Sequence, residues 1–231
     1  MAKRGKLIVI DGTDGSGKAT QVELLAKHLE LEGYTVKLVD FPEYYKNFFG
    51  KFIGHCLTEQ YYNFIKVHPK IASVLYAADR WESKDEIEGW LKKGHIVIAN
   101  RYASANQIHQ GGKIKSSSKR AAFIRWLDEM EYEVFKIPRP DAVFYLRVPM
   151  SFILKLIRER NKKISRAYAG KKKDIVEGDT AYLENSGNAA LWLAKTQKNW
   201  VKIECVRKNS LLSREAIHGE IYKKVKTLIK K

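Results

Sequence analysis

Five short apolar runs punctuate the chain, at Leu7 to Ile10, Thr35 to Asp40, His95 to Asn100, Ala142 to Val148 and Val201 to Val206. Their length and β-branched content predict five strands. Between them, apolar positions recur at helical spacing. Val22, Leu25, Ala26 and Leu29 fall on one face before Gly33, and Ile71, Leu75 and Ala78, then Ile87 and Leu91, do the same before Gly94. Strands that alternate with helices pair in parallel, because a parallel neighbour requires a crossover connection. The pattern therefore predicts an α/β fold with a five-stranded parallel sheet flanked by helices. No repeat or low-complexity linker marks a second domain, so residues 1–231 read as one domain. Residues 161–178 carry many lysines and weak apolar periodicity, which predicts a mobile loop.

Composition narrows the setting. A chain of 231 residues with 45% hydrophobic content can bury a sizeable core, which excludes a disordered protein. Only Leu7 to Ile10 are apolar before Asp11, too few for a signal-peptide core or a membrane span, so a soluble, cytoplasmic protein without a membrane partner is expected. Cys56 and Cys205 lack CxxC spacing and read as small buried side chains in a reducing compartment. The net charge of +17 favours polyanionic ligands, although a solvated lysine-rich surface would give the same number. Nine basic residues cluster between Lys155 and Asp174 against two acidic ones. No RNA-recognition motif or zinc spacing accompanies them, so no nucleic-acid partner is expected.

The first strand runs into Gly12-x4-Gly17-Lys18, and a helix is predicted to follow. That context marks a phosphate-binding loop. Its glycines let successive backbone N–H groups turn inward around oxygen atoms, the helix start adds positive potential, and Lys18 supplies a mobile cation. The segments "DFPEYY" (40 to 45) and "NRYASANQIHQGG" (100 to 112) follow the next two strands. Ligands collect beyond the carboxyl ends of the strands in an open parallel sheet, so all three segments converge there. Arg101, just past a buried strand, is a natural fork for a phosphate opposite the loop.

The segments "VIDGTDGSGKATQ", "FPE", "LYAADRWE", "KKGHIVIANRYASANQIHQGG", "PRPDAVFYLRVP" and "KDIVE" occur in the order and spacing of thymidylate kinases. Over nearly its whole length the chain resembles this family of P-loop nucleoside monophosphate kinases. The resemblance implies a P-loop kinase fold, Mg²⁺-dependent transfer of the ATP γ-phosphoryl group to thymidine monophosphate, and a homodimer. It assigns ATP binding to Gly12, Thr13, Asp14, Gly15, Ser16, Gly17, Lys18, Ala19 and Thr20; Asp11, just before the loop, is by its position an available outer carboxylate for the metal. Asp14 would contact the deoxyribose 3′-hydroxyl, and Arg101 would clamp the acceptor phosphate beside Phe41 and Asn100. Tyr76 would stack on thymine, Arg80 would bond a thymine carbonyl, and Asn106 and Gln110 would face the base. Arg158 and Arg160 would open a basic lid over ATP, spanning about 158–177, with Asp174 and Glu177 on its acidic flank. Gly15 stands where some members place an arginine, which implies that the lid supplies that charge.

Several positions depart from the family pattern. Ala19 lacks the hydroxyl usually offered to Mg²⁺, Asn100 replaces an aspartate, "FPEYYK" lacks an arginine, and His109 and Val176 replace aromatics. The alternatives are a kinase for another nucleoside monophosphate or a deoxynucleoside, and a catalytically silent nucleotide-binding protein whose basic surface binds nucleic acid. Chemistry favours retained activity. A phosphate monoester has its second pKa near about 6 and needs no general base to attack, and phosphoryl transfer depends chiefly on alignment and surrounding positive charge.

Overall fold

The computed structural model describes residues 4–58, 64–161 and 179–230. Its central sheet contains β1 (Leu7–Asp11), β2 (Val36–Asp40), β3 (Ile96–Asn100), β4 (Ala142–Arg147) and β5 (Trp200–Glu204). The strands are parallel in the order β2-β3-β1-β4-β5. The α/β expectation holds, with strand boundaries close to those read from the apolar runs. β1 is buried along its whole length, as a strand covered on both faces must be.

Helices α1 (Lys18–Leu31), α2 (Phe48–Leu57), α3 (Pro69–Glu82), α4 (Lys84–Lys92), α5 (Ala103–Gly112), α6 (Ser117–Asp128), α7 (Met150–Asn161), α8 (Thr180–Thr196) and α9 (Arg214–Lys230) flank the sheet. Side chains alternate across the strands and build two cores. Leu7, Val9, Val97 and Ala99 pack with α5, α6 and α8, whereas Ile8, Ile10, Ile98 and Phe144 pack with α1 and α9. All four α1 residues expected inside, Val22, Leu25, Ala26 and Leu29, are buried.

Three details differ from the pattern-based expectation. Ile71 is 58% exposed, because α3 turns the smaller side chains Ala72, Ser73, Ala77 and Ala78 inward. The helical stretch before Gly94 is two helices, α3 and α4, that meet at Ser83. The fifth strand stops at Glu204, and Val206 enters a hairpin of β6 (Val206–Arg207) with β7 (Ser210–Leu211). Lys208 and Asn209 at its tip both have positive φ, the conformation of a tight hairpin turn.

Cys56 and Cys205 are buried and free, as expected. No helix among the described residues is long and apolar enough to cross a membrane. Of the lid expected at about 158–177, residues 162–177, including Asp174 and Val176, lie outside the described residues.

Candidate active site

The glycine-rich loop expected to bind phosphate connects the end of β1 to α1. Gly17, with φ 87°, turns the chain into the helix, a conformation that strains any residue with a Cβ. Gly15, with φ 80°, has another constraint: a Cβ there would lie 2.9 Å from Ile157 on α7. A side chain at this position would have to displace Ile157 and accept a strained backbone. Thr13, Asp14, Ser16 and Lys18 are buried, and the Lys18 Nζ donates to the Gly12 and Thr13 carbonyls at 3.1 Å each. Ala19 is exposed and Thr20 half-buried.

Arg101 reaches this loop from the end of β3. Its φ of 65° is unusual for a residue with a side chain. Its Nη2 donates to Asp14 Oδ1 at 2.5 Å, and Nη1 lies 2.7 Å from His109 Nε2. A guanidinium only donates, so Nε2 accepts and the ring proton sits on Nδ1. His109 stacks on Tyr182 of α8 with rings 9° from parallel. Burial, reinforced by Arg101, pushes the imidazole down to about 3, which keeps it neutral. Asp11 is fully buried, accepting from the Gly12 amide at 2.7 Å and Ser104 Oγ at 2.5 Å, with Arg101 at 3.9 Å. Burial pushes its carboxyl up, with Arg101, Lys18, Ser104 and Gly12 opposing.

A second cluster lies between α3 and α5. Tyr76 and Arg80 are one turn apart on α3, as are Asn106 and Gln110 on α5. Arg80 is 2% exposed and forms a two-pronged pair with Glu131, donating from Nε at 2.9 Å and also from Nη2. Burial works against the guanidinium charge, and Glu131 outweighs it. Asn106 Nδ2 donates to Glu131 at 2.9 Å and to the Ser73 carbonyl at 3.1 Å. Tyr76 is half-buried with its ring 5.8 Å from Phe64. Gln110 is buried, and its Oε1 has no partner among the described residues.

The loop after β2 joins these groups. Phe41 is 2% exposed and packs on Tyr102. Asp79, beside Arg80, accepts from the Glu43 amide at 3.2 Å and from Asn47 at 3.3 Å, while Ser83 Oγ donates to Glu43 at 2.6 Å. Burial raises the Asp79 carboxyl to about 6. The "ADR" and "FPE" motifs thus fasten each other.

Arg101, Asp14, Lys18 and Asp11 form one cluster, and Arg80 and Asn106 form the other. Asn100 ends β3 with a buried Oδ1 that has no partner among the described residues, and its backbone carbonyl accepts from Phe41 N at 3.0 Å. Arg158 is exposed on α7, whereas the Arg160 side chain and Asp174 lie outside the described residues. The sequence reading missed Ser104 and Glu131. Glu131 sits in "DEMEYE", which reads as a charged surface, on a π-helical turn (Glu129–Val134) that no apolar period announces. The signal that pointed to a partner was Arg80 itself, a charge in an otherwise small-residue helix face.

No group of three or more His, Cys, Asp and Glu among the described residues could cage a metal. Magnesium keeps several waters and uses one or two carboxylates with substrate oxygens, so Asp11 and the Ser16 Oγ, which has no partner among the described residues, fit that ion.

Comparison with known proteins adds an independent finding. The family model described as thymidylate kinase matches residues 10–217. A thymidylate kinase of Plasmodium falciparum is 28% identical over 227 residues, spanning 96% of this chain and 90% of that protein. A probable thymidylate kinase of Thermococcus kodakarensis is 33% identical over 161 residues, spanning 68% and 73%. The solved structure of thymidylate kinase from Candida albicans superposes with a TM-score of 0.73 at 21% identity, over 98% of this chain and 93% of that one.

Proposed function

The chain belongs to the thymidylate kinase family, and on that premise we propose that it transfers the γ-phosphoryl group of ATP to thymidine monophosphate, forming thymidine diphosphate. One observation carries this reading to the described site. Seven buried side-chain polar atoms among the described residues have no partner, and four of them, Ser16 Oγ, Asn100 Oδ1, His109 Nδ1 and Gln110 Oε1, belong to the loop, the end of β3 and α5. Buried polar groups are normally paired, so a concentration of unpaired ones marks where ligand atoms belong.

The loop from Gly12 to Thr20 holds the ATP phosphates, with Lys18 exchanging its carbonyl partners for phosphate oxygens. Arg101 holds the acceptor phosphate, and His109 and Asp14 aim it. Asn100 and Phe41 support that end, and Asp14 is also placed to meet the sugar. Tyr76, Arg80, Asn106 and Gln110 take the base. Asp11 and Ser16 hold Mg²⁺, which when bound neutralises charge on the transferring phosphates. The acceptor dianion attacks without a general base, so Asn100 does not forbid the reaction. Arg158, Arg160 and the following lysines, with Asp174, close over ATP as a lid, and the tight fit at Gly15 supports a loop that leaves this charge to the lid.

Residues 1–231 act as one domain in the cytoplasm. They pair as a homodimer through an apolar stripe of Ile71, Val74 and Trp81 on α3 with Phe48 at its end. Phe48 is 72% exposed and Ile71 58%, and the Phe48 amide donates to Glu82 at 3.2 Å, which joins the two helices. An exposed apolar stripe of this kind favours a protein partner. ADP release measured over a panel of nucleoside monophosphates tests the activity. Highest kcat/KM with thymidine monophosphate supports it, and a clear preference for a purine acceptor contradicts it.

A further inference from the structure

Glu131 stands outside every motif in the sequence, yet it binds Arg80 and Asn106, two of the four side chains assigned to the base. We propose that Glu131 is a positioning residue that fixes the donor and acceptor polarity of the base-reading edge, admitting a pyrimidine with a C4 carbonyl and an N3–H and excluding cytosine. The inference rests on the thymidylate reading above and deepens it.

The argument counts donors. A carboxamide nitrogen carries two N–H groups and its oxygen none. Asn106 Nδ2 gives one to the Ser73 carbonyl at 3.1 Å and the other to Glu131 Oε1 at 2.9 Å. Both neighbours accept, so turning the amide over would set oxygen against oxygen. Asn106 therefore presents Oδ1 elsewhere, and that atom can only accept. Arg80 is held by the same carboxylate, through Nε to Oε2 at 2.9 Å and through Nη2 to Oε1. Its remaining Nη1 group can only donate.

A donor from Arg80 beside an acceptor from Asn106 complements a C4 carbonyl next to an N3–H. Cytosine presents an amino donor and a bare N3 acceptor, the reverse order. Arg80, Asn106 and Glu131 are each at most 2% exposed, so the wrong pairing cannot be repaired by solvent. A site built from buried hydrogen-bonding groups rejects a mismatched ligand more strongly than an apolar pocket does.

Glu131→Gln tests the assignment, because its carboxamide places an N–H where the carboxylate accepted from Arg80 or Asn106 and leaves only the Ser73 carbonyl to hold the Asn106 amide. In the folded variant, the preference for thymidine over cytidine deoxymonophosphate in kcat/KM falls at least about tenfold, and the thymidylate loss lies more in KM than in kcat. KM for ATP stays within about twofold, since no phosphate contact is touched. An unchanged preference in a folded variant overturns the proposal. If the parent phosphorylates no pyrimidine monophosphate, the kinase reading fails by itself, and calorimetric binding of the same two nucleotides then decides the polarity. A parent preference of at least about tenfold that the variant loses supports the proposal, and a parent without preference overturns it. Removing one partner of a buried pair can prevent folding, in which case the ¹⁵N-labelled parent decides. The Asn106 side-chain amide, identified by its loss in Asn106→Ser, exchanges slowly and keeps its shifts when thymidine monophosphate binds. Fast exchange or a large shift of both protons overturns the proposal.

Discussion

In the proposed reaction Lys18 and Arg101 act on opposite sides of the transferred group, so their losses are expected to differ in kind. Lys18→Ala lowers kcat by about a hundredfold or more, because a preorganised charge on the developing transition state is gone. Arg101→Ala lowers kcat by about a hundredfold and raises the acceptor KM, since the attacking oxygen loses its aim. Asn100→Asp changes turnover by less than about tenfold, roughly 1.4 kcal/mol, if the dianion attacks unaided. Steady-state kinetics of the three variants with Mg²⁺ titrated separates these outcomes, and a large gain in Asn100→Asp would show that the parent has lost the reaction. His109 gives a pH signature. Its ordinary value is near 6.5, and burial holds it down to about 3 in the fold. Between those values the unfolded chain binds a proton that the native state refuses. Stability therefore falls as pH drops below about 6.5, by up to about 1.4 kcal/mol per pH unit. In urea titrations at pH 6 and pH 5, His109→Phe loses less stability than the parent; equal losses would show that His109 ionises freely. Contiguous chemistry was legible in the sequence, as Gly12 to Lys18 shows. Glu131 was not, because its contact with Arg80 spans 51 positions.

At the scale of elements, the strands were the most legible. β1, β3 and β4 lie inside the sheet, and their near-continuous apolar runs gave their positions to about a residue. α3 was harder, since Ile71 obeys the helical period and still faces outward while Ala72 and Ala77 make the contact. Small residues allow close approach, and periodicity alone weighs them too lightly. Gly50 shows how tight these contacts are. A Cβ there would lie 2.2 Å from the Glu43 carbonyl and 2.8 Å from Asp79 Oδ1. Gly50→Ala therefore forces the loop after β2 away from α3, lowering stability by about 1–3 kcal/mol and raising the acceptor KM. A variant with the parent's denaturation midpoint and acceptor KM would mean that the loop does not brace the site.

The whole molecule combines a strand order that sends the loop, Arg101 and α5 to one end of the sheet with a formal charge of +17. Parallel pairing could be read from the alternation of strands and helices. The order of strands could not, since it leaves no local period, and neither could the stripe on α3, since its helical period reads as a core face. Val74→Glu places a charge in that stripe and shifts the sedimenting species from dimer to monomer; a parent that sediments as a monomer would remove the proposed interface. The central claim is the transfer itself. With the γ-phosphate of ATP labelled, the purified chain in Mg²⁺ is predicted to move the label into thymidine diphosphate, with Lys18→Ala nearly inert beside it. Folded parent protein that binds both nucleotides yet leaves the label on ATP, or releases it only as inorganic phosphate, would contradict the account.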